Sequence, residues 1–132
     1  MATVSRYTLK QRGFKRFLNS FKYAGRGINY AVEAEQNMII HLLAAVLVVV
    51  MGIIFNISAT EWLFCIVLIG LVIGTELINS SIEAVVDLTC PERHELAAIA
   101  KNTAGGAVLV FSITAAVIGL IIFVPKILNV IL

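Results

Sequence analysis

Residues 62–87 read WLFCIVLIGLVIGTELINSSIEAVVD, and this stretch decides the fold. From Trp62 through Gly74 it is apolar, but for only 13 residues. A helix rising ~1.5 Å per residue needs about 20 residues to cross a hydrocarbon core of ~30 Å. The length suffices only if the helix continues through Glu76, Asn79 and Glu83 to about Val86, which brings the carboxylates towards one leaflet. At about 100° per residue, Glu76, Asn79, Glu83 and Asp87 fall within an arc of about 80° and form one face. Three carboxylates on one helix face near lipid repel one another and lose hydration, so a cation, a proton or a polar partner must offset the cost. Asp87, and in part Glu83, also fit the solvated end of a long helix, whereas Glu76 must lie well within the span. Glu76 and Glu83 are two turns apart, about 10 Å along the axis, too far for both to grip one ion directly.

Working outward, the composition supports a membrane chain. Of the 132 residues, 60% are hydrophobic and 14% charged, too apolar for a soluble domain of this length. The whole chain reads as a single membrane domain, all-α, with a basic helix ahead of three spans. Residues 1–9 read as frayed, and residues 11–34 have helical periodicity, with Phe14, Phe17, Leu18, Phe21, Gly25, Ile28 and Val32 on one face. Such a basic, aromatic-faced amphipathic helix suits an anionic membrane surface or the flank of its own bundle. Spans are expected at residues 38–57, 62–86 and 104–124. The connector around Asn56 to Glu61 has no Lys or Arg and Trp62 follows it, which fits an external loop with an interfacial anchor.

Between the second and third spans, residues 87–101 form the expected inner connector, with a helix start at Thr89-Cys90-Pro91-Glu92. Pro125 and Lys126 are expected to close the last span, and Gly105-Gly106 near its beginning would let another helix approach. The net charge is only +2, yet nine of the ten basic residues fall on the N-terminal side of this topology and only Lys126 on the other. That bias predicts a cytoplasmic N-terminus, an external C-terminus and insertion without a cleaved signal. A protomer this small encloses little, so an oligomer is expected. Cys65 and Cys90 lack any CxxC or metal-ligand spacing and read as free thiols.

Other polar residues have competing readings. Glu35 could reach an ion held by Glu83 if the basic helix folds against the second span, or, like Glu33, it is a solvated charge. Lys101 fits a phosphate contact or a side chain snorkelling to the interface. His41 reads as a helix-end polar group, and His94 with Glu95 as a solvated pair. No Walker-type glycine loop, dinucleotide fingerprint or HExxH motif is present, and no nucleic-acid partner is expected. An intramembrane carboxylate would also serve a small oligomeric transporter or proton-coupled carrier built on Glu76, but a carrier favours ionisable groups near the midplane. A non-catalytic scaffold leaves the carboxylates unexplained.

Taken with its surroundings, Glu76-Leu77-Ile78-Asn79-Ser80-Ser81-Ile82-Glu83-Ala84-Val85-Val86-Asp87 resembles the signature of the prokaryotic diacylglycerol kinase family. Phe21-Lys22-Tyr23-Ala24 with Arg26-Gly27-Ile28, Glu35 with Asn37, Ile40-His41-Leu42, and His94-Glu95-Leu96 through Ala100-Lys101 extend the similarity over residues 13–109. The Phe-Lys-Tyr-Ala and Ile-His-Leu features look like the undecaprenol kinase branch typical of Gram-positive bacteria. The resemblance implies a homotrimeric bundle in the bacterial cytoplasmic membrane that phosphorylates a lipid alcohol with ATP, undecaprenol favoured over diacylglycerol. It further implies that Glu76 is the general base, with Asn79 beside it, and that Glu35 and Glu83 hold Mg²⁺. Lys101 is implied as a nucleotide phosphate contact, with Arg16 and Tyr23 near the nucleotide.

The chemistry of the residue types agrees with these roles. A lipid alcohol is a poor nucleophile that a carboxylate can deprotonate as it attacks. Mg²⁺ is commonly held by one or two carboxylates together with substrate phosphates. One departure stands out: Asn102 follows Lys101 where the family usually has Asp, which removes a negative charge from the implied nucleotide site and predicts altered placement or turnover.

Overall fold

The computed structural model of the chain describes residues 13–132 as four helices: α1 (Phe14–Ala34), α2 (Gln36–Ile54), α3 (Ala59–Thr89) and α4 (Glu95–Ile131). The expectations for residues 1–9 and for a helix beginning at residue 11 lie outside the described residues. Helices α2, α3 and α4 are each long and apolar enough to cross a membrane. In their most apolar windows 33% of α3 is buried, against 11% of α2 and 17% of α4, so α3 is the central helix. The others lay wide apolar faces open, as lipid or neighbouring helices would require.

Helix α2 stops at Ile54, short of the expected residue 57, because Asn56 takes a left-handed backbone with φ 46°. The Asn56 N–H then donates to the Ile53 carbonyl (3.2 Å) and the Ile57 N–H to the Gly52 carbonyl (3.1 Å), the paired bonds of a Schellman stop. Helix α3 begins ahead of Trp62, through a capping box: the Glu61 N–H donates to Ser58 Oγ (3.2 Å) and the Ser58 N–H to Glu61 Oε2 (2.7 Å).

The helix start expected at Thr89 does not occur there. Thr89 Oγ1 donates back to the Val85 carbonyl at 2.8 Å, so this residue completes α3, and His94 caps α4 by accepting the Leu96 N–H on Nδ1 at 3.2 Å. The connector is therefore residues 90–94 rather than 87–101, and Lys101 lies inside α4. Nor does Pro125 end the last helix, which continues to Ile131. Proline removes only one backbone bond, at an exposed position. Beyond it Lys126 Nζ pairs with Glu61 at 2.9 Å and Ile127 packs on the cluster of Ile57, Cys65, Ile122 and Phe123.

At this end α2 and α3 touch where Gly52 faces Trp62. A methyl group added at Gly52 would lie 2.7 Å from the Trp62 ring and 3.1 Å from Ile57. Gly52→Ala should therefore displace the ring and cost about 1–3 kcal/mol by overpacking. Because Trp62 is the sole tryptophan, the check is direct. The thermal midpoint of the detergent-solubilised protein should fall and the emission maximum should move; a variant matching the parent in both contradicts this packing.

Candidate active site

The second half of α3 is rich in polar side chains, and most are satisfied without leaving the helix. Thr75 Oγ1 donates to the Leu71 carbonyl (2.7 Å), Ser80 Oγ to that of Glu76 (3.0 Å) and Ser81 Oγ to that of Leu77 (2.9 Å). These hydroxyls need no water. The exceptions are Glu76, 1% exposed, and Asn79, 5% exposed: Glu76 Oε1 and Asn79 Oδ1 are buried with no hydrogen-bond partner among the described residues. Orphaned buried polar atoms are rare and costly, and two of them one helical turn apart mark a candidate ligand site.

One bond organises the stripe. Asn79 Nδ2 donates to Glu83 Oε1 at 3.0 Å, which directs Asn79 Oδ1 away from Glu83 and towards α4. There it faces Gly105: a Cβ at that position would lie 3.9 Å from Asn79 Oδ1, in ordinary van der Waals contact. A turn further along α3, Asp87 Oδ1 meets Lys101 Nζ at 2.6 Å.

Glu35 enters from another direction. It is the single non-helical residue between α1 and α2, with φ −114° and ψ 114°, and its N–H still donates to the Ala31 carbonyl at 2.9 Å. This break lets α1 fold back so that Ala24, Gly27 and Ala31 face Ser80, Ser81 and Ala84 across a shallow groove. Glu35 and Glu83 both come within electrostatic reach of Glu76 and of Lys101. The bundle thus gathers Glu35, Glu76, Asn79, Glu83, Asp87 and Lys101 at the end marked by Cys90. No three His, Cys, Asp or Glu side chains among the described residues converge as a self-sufficient metal cage. Carboxylates this spread out fit a cation completed by a ligand's own oxygens.

Arg16 and Tyr23 are not drawn in. Both are exposed on α1 and neither hydrogen-bonds to the stripe among the described residues; Tyr23 instead lies under the Arg26 guanidinium, 5.8 Å from its ring centroid. Asn102 is exposed beside Lys101. His41, read from sequence as a helix-end group, is close enough for its charge to act on Glu76. Its signal was a lone imidazole in an otherwise apolar run. Ser80 was legible only as a member of the segment from Glu76 to Asp87, outside the stripe itself, and its burial at 4% exposed follows from α1 docking over it.

This constellation has relatives. Residues 22–123 match the model of a family described as prokaryotic diacylglycerol kinase. The chain belongs to the prokaryotic diacylglycerol kinase family. It is 43% identical over 111 residues to an undecaprenol kinase of Bacillus subtilis, covering 84% of this chain and 90% of that one. It is 37% identical over 113 residues to a diacylglycerol kinase of Synechocystis, covering 85% and 65%, and 35% identical over 101 residues to one of Helicobacter pylori, covering 76% and 79%. The matched family region holds every residue of the gathered cluster and Tyr23, but begins after Arg16. Membership of a lipid kinase family gives the orphaned carboxylate of α3 a chemical context.

A carboxylate kept buried and unpartnered is a stability cost. Exchanging it for a side chain of similar length without charge, Glu76→Met, should raise stability by about 1–3 kcal/mol, the usual cost of an unsatisfied buried polar group. Thermal unfolding in detergent measures it; an unchanged or lowered midpoint means that Glu76 is satisfied by a partner in the assembled protein.

Proposed function

We propose that the chain is an ATP-dependent lipid kinase whose acceptor is undecaprenol in preference to diacylglycerol. The observation that carries the reading is the orphaned Oε1 of Glu76, buried on α3 beside Asn79, in a chain 43% identical to a protein named undecaprenol kinase. Glu76 Oε1 accepts the proton of the lipid hydroxyl as the hydroxyl oxygen bonds to the γ-phosphorus of ATP and the bond to the β,γ-bridging oxygen breaks, releasing ADP. Asn79 orients the acceptor through Oδ1 while its amide holds Glu83 in place. Glu35 and Glu83 would hold Mg²⁺ together with the substrate phosphates, and the ion would supply positive charge at the transferring group. Lys101 contacts the nucleotide phosphates, and Arg16 and Tyr23, which α1 leaves exposed, are assigned to the nucleotide by the family resemblance. Asn102, in place of the family's usual Asp, alters nucleotide placement or turnover.

In this reading the protein is a homotrimer in the bacterial cytoplasmic membrane. The Cys90 end of α3 faces the cytoplasm where ATP is available, and α1 lies with Phe14, Phe17 and Phe21 in the membrane surface. Those three rings already associate, with centroid separations of 6.3 and 5.1 Å between successive pairs, and are exposed for such an insertion. The N-terminus is then cytoplasmic and the C-terminus external. A carrier built on Glu76 finds no support among the relatives, which bear kinase names.

The test is transfer of label from γ-labelled ATP to undecaprenol or diacylglycerol in detergent, with and without Mg²⁺. The parent should label undecaprenol faster, Glu76→Gln should lower the rate by about 10²–10⁴-fold as expected for loss of a general base, and Asn102→Asp should change the turnover. No labelled lipid from the parent or from Asn102→Asp sinks the kinase reading. Faster labelling of diacylglycerol overturns the acceptor preference alone.

A further inference from the structure

Asp87 belongs to the polar face of α3, yet the proposed reaction gives it no task. Its one partner among the described residues is Lys101. The helix register shows that this partnership involves a choice. Helices α3 and α4 run antiparallel, and Gly105 faces Asn79. One turn back along α4 is Lys101, and one turn on along α3 is Glu83, so Lys101 emerges level with Glu83. Glu83 and Glu35 are both near enough to act on the Lys101 charge. The ammonium nevertheless reaches a turn further and bonds Asp87 Oδ1 at 2.6 Å.

Glu83 in turn spends only Oε1, on the Asn79 amide at 3.0 Å, and its Oε2 makes no hydrogen bond among the described residues. An amide leaves the charge of a carboxylate intact, whereas a lysine would neutralise it. Two pairs thus stand, Asn79 with Glu83 and Asp87 with Lys101, with the Glu83 charge near enough to act on the lysine but not bonded to it.

We infer that Asp87 is a positioning residue that diverts the Lys101 ammonium from Glu83, so that the Glu83 carboxylate stays free to take a divalent cation. The inference rests on the reading of Glu83 as a cation ligand. The diversion is also easily reversed. The Asp87 side chain is 67% exposed and that of Lys101 32%, so water weakens their bond, and an arriving polyphosphate can draw the lysine away without exposing a buried charge. When Asp87 loses its charge, the nearest carboxylates left to Lys101 are Glu83 and Glu35, and a cation must then compete with the lysine for them.

The experiment measures cation binding directly, with Mn²⁺ as probe. Free Mn²⁺ is followed by electron paramagnetic resonance during titration of the full chain in detergent, without nucleotide, because a polyphosphate chelates Mn²⁺ itself and draws Lys101 away. The parent should bind Mn²⁺, and Glu83→Gln should weaken that binding. Asp87→Asn should weaken it about three- to five-fold, the scale of a competing partly exposed ion pair, and Asp87→Glu should restore it. The decisive variant adds Lys101→Met to Asp87→Asn. With no lysine left to collapse on Glu83, binding should be tighter than in Asp87→Asn alone, an outcome that a merely structural role for Asp87 does not produce. Parent-like binding in Asp87→Asn, or a double variant no tighter than the single, overturns the inference and leaves Glu83 as a ligand. If the parent binds no Mn²⁺, or Glu83→Gln binds as well as the parent, the cation reading fails and takes the inference with it.

Discussion

Helices α3 and α4 are tied at both ends by ion pairs, Glu61 with Lys126 at 2.9 Å and Asp87 with Lys101 at 2.6 Å. The stretches between the ties, Glu61 to Asp87 and Lys101 to Lys126, rise by about 39 and 38 Å at ~1.5 Å per residue. Because the two lengths match, both pairs form in one register. Single ion pairs at a partly wet surface contribute little, but two at opposite ends of a long helix pair select alignment even where each adds little stability. The rest of the site depends on that alignment, because it sets Gly105 against Asn79 and brings Lys101 level with Glu83.

Within the aligned pair, polar groups divide into those that cost nothing and those that do. The hydroxyls of Thr75, Ser80 and Ser81 return their hydrogen bonds to the α3 backbone, and Asn79 supports Glu83 along the same face. On α3 what remains, Glu76 Oε1 and Asn79 Oδ1, is confined to one turn of the helix, while α4 leaves the Ser112 hydroxyl without a partner among the described residues. Burying a carboxylate without a partner is tolerated where a ligand completes it, and under the proposed function that ligand is the acceptor hydroxyl. Stability and chemistry then pull in opposite directions at a single residue.

Much of the architecture was legible beforehand, and the errors have physical causes. Apolar length and the 3.6-residue period gave three long helices and placed Glu76, Asn79, Glu83 and Asp87 on one face of the central one. Helix boundaries were less visible. Thr89 looked like the start of a helix but its hydroxyl bonds back to Val85, and Pro125 looked like a stop but its missing donor falls on the exposed side of α4. The capping box at Ser58 and Glu61 was present as a local pattern, yet the polar run around it read as a loop. His41, set aside as a helix-end group, comes near Glu76 only once α2 packs on α3.

The sequence by itself determined which side chains share a helix face, because that follows from the helical period and needs no knowledge of the neighbours. It also determined that Glu76 must sit deep, since the apolar run before it is too short to span alone. Only the tertiary structure decided that Lys101 pairs with Asp87, that Gly105 faces Asn79, and that Glu76 Oε1 is left without a partner among the described residues. Those facts depend on the register between helices joined through a five-residue turn and on α1 folding back at Glu35. A local period says where a side chain points; what it meets there is set by the packing of segments far apart in the chain.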